Sequence, residues 1–392
     1  MFPTLRAILV LGSIACLPGC GRGDPAKIWE EARSAFDARD WAKTEASLAR
    51  LAKLREPKAE DRMLSAQVLI ARERPSEAIA MLGNVPDDHR MASTARLQIG
   101  QLELRRSRAR VAEEELLRAV AINPREVQAR RELIYLYGMQ SRWKPMGEQF
   151  RALAETGPLG FSDVVLWCLS RNMSWDPDEL RADLSRFLAA DPDDRHSRLA
   201  LVENLRVRQF LDDAEAALKP LPADDPDARA ARVKIALDRG EMTEAEALLG
   251  NAPPGHPDLE KLRAKLALYR HDSTSALAHY RRAYDADPDN RDAIAGLGST
   301  LALVGKKDEA APFLKKARDY DAIASIIERL ASTKRLDDPR LPLTLGAAYE
   351  NVGRKPEARA WFGLAIARDP LDAEAQQALF RLKDPSDPAK SG

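Results

Sequence analysis

The chain has 392 residues, of which 31% are charged, with 61 basic side chains against 61 acidic ones. That balance excludes the basic surplus by which nucleic-acid binders attract phosphate, and no basic-aromatic run is present. A globular chain of this length would divide into two or three domains, yet no glycine- and proline-rich linker interrupts residues 26–383.

The first residues read as an export leader. One positive charge, Arg6, precedes the apolar run "AILVLGSIACL" (Ala7–Leu17), which is too short to span a bilayer as a mature helix. The run ends in "LPGC", Leu17 to Cys20. Leu17, Gly19 and Cys20 resemble the bacterial lipobox. The resemblance implies cleavage before Cys20, lipidation of Cys20, a leader over 1–19 and a tether over 20–25. Gly21, rather than an aspartate, resembles lipoproteins sorted onward to the outer membrane. Of the three cysteines, Cys16, Cys20 and Cys168, only Cys168 is left for the folded part, so no internal disulfide is expected. Within "VVLWCLS" it reads as a buried small hydrophobe.

From residue 26 the pattern is helical and repeats. Pro124, Pro158, Pro192 and Pro226 are 34 residues apart, and Pro226, Pro257 and Pro288 are 31 apart. Proline cannot continue a helix, so each ends a unit. The unit is a pair of short amphipathic helices joined by a turn. The pairs predicted in chain order are 26–57, 58–90, 91–124, 125–158, 159–192, 193–225, 226–256, 257–288, 289–321 and 339–370. "SEAIAMLGNVP" (Ser76–Pro86) and "TEAEALLGNAP" (Thr243–Pro253) are near-copies 167 residues apart, about five units. The pair over 159–192 is the weakest, since "NMSWDP" replaces a tight turn. Residues 322–338 break the period; "AIASIIERLAS" there reads as an extra helix. A cap helix is expected over Ala373–Leu382 and a disordered tail over 384–392.

The clearest unit is "LGAAYENVGRKPEARAWFGLAIARDP", Leu345 to Pro370. Leu345-Gly346, Tyr349, Gly353, Ala358, Phe362, Ala365 and Pro370 resemble the tetratricopeptide repeat, a 34-residue helix–turn–helix unit. Pro342 departs from the tryptophan usual near its start. The same residue types recur as Gly100 with Ala112, and as Gly298 with Ala310. The resemblance implies an all-α, right-handed superhelical solenoid of about ten such repeats over 26–383. Gly100, Gly298 and Gly346 would lie at helix crossings with Ala112, Ala310 and Ala358 opposite. Tyr349 and Phe362 would fill the space between helices, and Ala365 would admit the next one.

Chemistry is harder to find. The five histidines, His89, His196, His256, His271 and His279, show no metal-ligand spacing, so no metal and no cofactor are expected. "GLGST" (Gly296–Thr300) lacks the strand and lysine of a phosphate loop. Carboxylates gather in "DPDD" and "DPDN", where they read as helix caps. His89 and His256 recur at one place in the two near-copies, which points to a turn role.

No catalytic residue is assigned, and the chain reads as a non-enzyme. A protein or peptide partner is expected in a concave groove. Three of the six tryptophans fall within 33 residues, and Arg131, Tyr135 and Trp175 are the candidate contacts there, because arginine and aromatics dominate binding hot spots. Tyr137, Phe150 and Trp167 read as repeat core. The expected role is a lipid-anchored envelope scaffold or adaptor, on the periplasmic face of the outer membrane. Two alternatives stay open: a structural or regulatory subunit of an envelope assembly or export complex, and a carbohydrate-binding lipoprotein.

Overall fold

The computed structural model describes residues 23–156, 159–171, 175–250, 252–333 and 338–382. The leader, Cys20 and the tail 384–392 lie outside them. All regular structure among the described residues is helical. The chain divides into two compact bodies, Met1–Met91 and Ala92–Gly392. The first holds the pairs α1 (Pro25–Asp37) with α2 (Trp41–Ala52) and α3 (Ala59–Ala71) with α4 (Pro75–Gly83). The second opens with α5 (Ala92–Arg105), α6 (Ala109–Ile122), α7 (Val127–Met139), α8 (Trp143–Thr156), α9 (Phe161–Arg171) and α10 (Pro177–Ala190). It goes on with α11 (Arg195–Val207), α12 (Leu211–Leu218), α13 (Pro226–Arg239), α14 (Met242–Gly250), α15 (Pro257–Tyr269) and α16 (Ser273–Ala286). It ends with α17 (Arg291–Leu303), α18 (Lys307–Thr333), α19 (Leu341–Asn351), α20 (Lys355–Arg368) and α21 (Ala373–Arg381).

Short-range chemistry sets these boundaries. Asp24, Asp40, Asp176, Asp194, Asp225, Asp272, Asn290 and Asp372 each cap a helix by accepting from backbone N–H groups of its first turn. The turn inside each pair carries one residue in the left-handed region. Arg39, Glu73, Ser107 and Ser141 hold that place at intervals of 34, followed by Gln209, Gly240, His271, Gly305 and Gly353. That residue reverses the chain tightly: Asp40 N–H donates to Ala35 O at 2.8 Å, and Arg142 N–H to Tyr137 O at 2.8 Å. Among the described residues between α9 and α10 none is left-handed. Trp175 stands 34 residues after Ser141, and a bulky side chain is a poor occupant of left-handed backbone.

Every predicted pair but one folds as a hairpin. α9 and α10 do not pack along each other; α10 lies on α11, and α9 lies on α7, α18 and α20. The irregular stretch also resolves differently from its reading. Residues 322–333 are not a separate helix but continue α18, which runs 27 residues.

Within a hairpin the atoms nearest each glycine belong to a bulky side chain, and at Gly100 the backbone oxygen of Ala112 also lies 3.4 Å from the added Cβ. A Cβ on Gly100 would lie 2.6 Å from Leu116 Cγ, one on Gly298 3.1 Å from Leu314, and one on Gly346 2.6 Å from Phe362. Ala112, Ala310 and Ala358 are buried one helical turn before those partners, and Tyr349, Phe362 and Ala365 are buried as well. An unforeseen glycine is tighter still: a Cβ on Gly296 would fall under 3.0 Å from three ring carbons of Tyr280. Phe150 and Trp167 stack with centroids 4.3 Å apart, which adds about 0.5–1.5 kcal/mol to their burial. Tyr137, Phe150, Trp167 and Cys168 are all buried, as their positions on the apolar faces require.

Candidate functional site

The second body contains a cavity of about 910 Å³. One wall is built from the first turns of α11, α13, α15 and α17. The others come from the α7–α8 turn, the middle of α18, and Tyr349 with Arg354. Its polarity follows from the repeat. The turns before α11, α13 and α17 supply a side-chain cap to the helix that follows, and Arg195, Lys234, Lys261 and Arg291 of the first helices face acidic or amide groups one repeat on. The lining holds seven Asp and Glu side chains and seven Lys and Arg side chains.

These charges form a ladder from repeat to repeat. Arg195 reaches Asp225 at 2.5 Å and Asp227 at 2.6 Å. Asp227 also meets His256 Nε2 at 3.0 Å. Lys234 lies 3.2 Å from Asp258, and Lys261 lies 2.8 Å from the same carboxylate. Lys261 also donates to Asn290 Oδ1 at 3.3 Å, and Arg291 pairs with Asp321 at 2.6 Å. Arg354 stands 3.5 Å from Asp289 and also binds Glu357. Among the described residues no ion pair occupies Lys144, which is exposed at the cavity rim.

Titration follows the contacts. The His256 hydrogen bond, helped by Arg195, holds the Asp227 carboxyl down at about 2. Burial alone would raise Asp258, but the charges of Lys234 and Lys261 override it and hold this carboxyl far below the usual range. Burial, then the charges of Arg142 and Arg195, lower the pKa of His196, so that this imidazole lines the cavity uncharged at neutral pH. The result is a polar, internally neutralised surface interleaved with Trp143, Leu199, Pro257, Tyr320 and Ile323. It offers hydrogen bonds and apolar contacts without a strong net field. Among the described residues no group of three or more His, Cys, Asp or Glu is placed to hold a metal ion, and no helix is long and apolar enough to cross a membrane.

The three predicted contacts lie outside that cavity, Arg131 and Tyr135 on α7 and Trp175 just before α10. Arg131 is engaged by Asp163 of α9, at 2.5 and 3.0 Å. Tyr135 and Trp175 come together edge to face, with centroids 5.2 Å apart. Tyr135 is 38% exposed and lines a shallow cavity of about 350 Å³ with Glu132, Met139, Asp183, Arg186 and Phe187. Trp175 is half-buried, its Nε1 enclosed without a hydrogen-bond partner. Sequence reasoning assigned the cavity residues to capping alone. Asp194 and Asn290 do cap α11 and α17, but the signal missed was the cation one repeat away from each acidic turn. The two histidines read as turn residues do share one environment. His89 Nδ1 accepts from Met91 N–H at 3.2 Å. His89 faces Glu60 and His256 faces Asp227, each 29 residues earlier.

Residues 261–325 match the family model for the tetratricopeptide repeat. No curated protein matches the chain. Among solved structures, a tetratricopeptide repeat protein from Parabacteroides merdae is 14% identical, with 71% of this chain and 98% of that one covered and a TM-score of 0.34. The Cut9–Hcn1 hetero-tetramer of the APC/C is 13% identical, covering 92% and 91% of the two chains at a TM-score of 0.38. The C-terminal part of a repeat protein from Cytophaga hutchinsonii is 12% identical, covering 69% and 99% at 0.32. The chain therefore carries the tetratricopeptide repeat over residues 261–325, within an all-α array in which similar tightly turned helix pairs recur along the described residues.

Proposed function

We propose that the chain is a lipid-anchored scaffold of the bacterial cell envelope that holds an extended segment of a partner protein in the cavity of its second body. The observation that carries this reading is the cavity itself. Its walls come from five or more repeats, and its acidic and basic side chains are equal in number. Such a surface suits a peptide backbone and side chains of mixed charge better than a small, strongly charged ligand. Tyr135 and Trp175 supply a secondary aromatic contact, while Arg131 positions α9 through Asp163. The anchor rests on the "LPGC" sequence at Leu17–Cys20, and several acyl chains on Cys20 would hold the protein at a membrane where one would be marginal. The outer-membrane address rests on Gly21.

The test is capture of partners from solubilised envelopes on the intact protein, compared with a Lys144→Glu, Tyr320→Ala variant. Loss of the captured protein is expected, with the helical signal unchanged. Identical capture by both would refute the cavity as the binding site.

A second reading is favoured by one observation. Val207, Tyr269 and Leu303, at the ends of α11, α15 and α17, are 61%, 64% and 64% exposed. An apolar residue at the same edge of three of the four units from α11 to α18 suits a subunit packed permanently in an assembly. A partner that co-purifies in fixed ratio, and is lost on Tyr269→Ser with Leu303→Ser but not on the cavity substitutions, would decide for it.

A further inference from the structure

Two irregularities of the repeat meet in the second body. One is α9, which leaves its expected partner α10 and packs on α7, α18 and α20. The other is the overrun of α18 beyond the length of the other second helices. Ile323 and Ile327 of that overrun share one core with Val164, Trp167 and Cys168 of α9 and with Trp361 of α20. Phe161, at the start of α9, stands edge to face with Trp361, centroids 6.4 Å apart, and the Arg368 guanidinium lies 5.2 Å from its ring centroid. Cys168 Sγ is 3.4 Å from the hydroxyl of Tyr349, and Tyr349 lines the cavity. The body is therefore closed on itself, early repeats against late ones, and α9 is the piece that joins them.

Trp167 Nε1 of α9 is buried at the seam without a hydrogen-bond partner. A buried donor left unpaired weakens the docked state relative to one in which water reaches it. α9 also lacks along-length packing on its hairpin partner α10. Weakly held elements open locally, ahead of the whole.

We infer that α9 is a clasp: it undocks from α18 and α20 as a unit, and its release opens the wall at Tyr349 and admits the partner to the cavity. This regulation rests on the reading of the cavity as the partner site. The docked helix hides its own reporter, because Cys168 is 2% exposed and burial pushes its thiol up to about 12, so that it reacts only when α9 leaves.

The experiment uses the full chain with Cys16→Ser and Cys20→Ser, which leaves Cys168 as its one thiol. Its alkylation by iodoacetamide is timed under native conditions. Labelling faster than global unfolding is expected. Phe161→Ala, which removes the edge contact with Trp361, should raise the rate about tenfold or more. Leu249→Ala in α14, buried in a distant part of the same body, should leave it within about twofold, because damage in a solenoid stays near its repeat. If Cys168 labels only as fast as the helices melt, or if Leu249→Ala accelerates it as much as Phe161→Ala, there is no clasp. Hydrogen exchange on the unsubstituted chain gives an independent check: α9 amides should exchange before those of α15 and α16, and equal protection would also overturn the proposal. Neither measurement needs a partner. A clasp that opens beside a cavity that captures nothing would defeat the binding reading alone.

Discussion

Glycine to alanine at two helical positions should have opposite signs. Gly296 lies in α17 and Gly363 in α20, both inside helices. In a helix interior the added methyl group stabilises by about 0.5–1 kcal/mol, because alanine loses less backbone freedom on folding. At Gly363 nothing lies within 4 Å of the new Cβ, so Gly363→Ala should show that gain undiminished. At Gly296 the same atom would intrude on the ring of Tyr280, under 3.0 Å from three of its carbons. Tyr280 is buried between α16 and α17 and has no open space to rotate into. Overpacking of this kind costs roughly 1–3 kcal/mol. Set against the propensity gain, Gly296→Ala should destabilise by up to about 2.5 kcal/mol. The assay is hydrogen exchange under increasing urea, read separately on α16–α17 and α19–α20, because a solenoid does not melt as one unit. Protection should fall around Tyr280 in one variant and rise in α20 in the other. Two variants that move in the same direction would refute the packing argument, since propensity alone would then govern both.

Cys20→Ser should release the protein from membranes and abolish the mass added by acyl chains; retention at unchanged mass would show that the anchor lies elsewhere. Gln209→Gly, at a φ of 65°, should stabilise the α11–α12 hairpin by about 1 kcal/mol by relieving left-handed strain, measured as slower exchange of those two helices only. Asp227 has its carboxyl lowered from 3.8 to about 2. The stability it contributes is therefore present above the ordinary value and lost as pH falls through the folded one. Acid titration should loosen α11–α15 between about pH 4 and pH 2, and Asp227→Asn should flatten that phase. Tyr135→Ala combined with Trp175→Ala should weaken partner capture without abolishing it; unchanged capture would make the pair idle surface.

The hairpins were legible because their causes are local. Proline spacing, the helical period of small and bulky residues, and an aspartate or asparagine before many of the first turns all act within a few residues, and the sequence displays them directly. The unit at 345–370 needed nothing else. The turn residue was half legible. Gly240, Gly305 and Gly353 advertise a left-handed backbone, whereas Arg39, Glu73, Ser107 and Gln209 adopt it with no glycine to announce it. The cavity ladder was illegible for another reason. Lys234 and Asp258, or Arg291 and Asp321, are 24 and 30 residues apart, and only the rise from one repeat to the next decides which cation meets which carboxylate. The detachment of α9 had a sign, the "NMSWDP" segment, but its new neighbours are set by the path of all the intervening repeats.

The closed seam bears on how the chain comes to be folded. Hairpins form from neighbours and can appear in order as the chain is made, at little cost in loop entropy. The seam cannot. Cys168 and Tyr349 are 181 residues apart, and the contacts of α9 with α20 wait for still later residues. Until α18 and α20 are present, α9 rests on α7, with Trp167 against Phe150, and the part of its apolar face that meets the late repeats has nothing to cover it. A chain truncated anywhere between α10 and α19 should therefore carry folded hairpins and one adhesive helix. That makes truncated products the natural clients of chaperones and proteases, and it makes the last repeats a checkpoint on the completeness of synthesis.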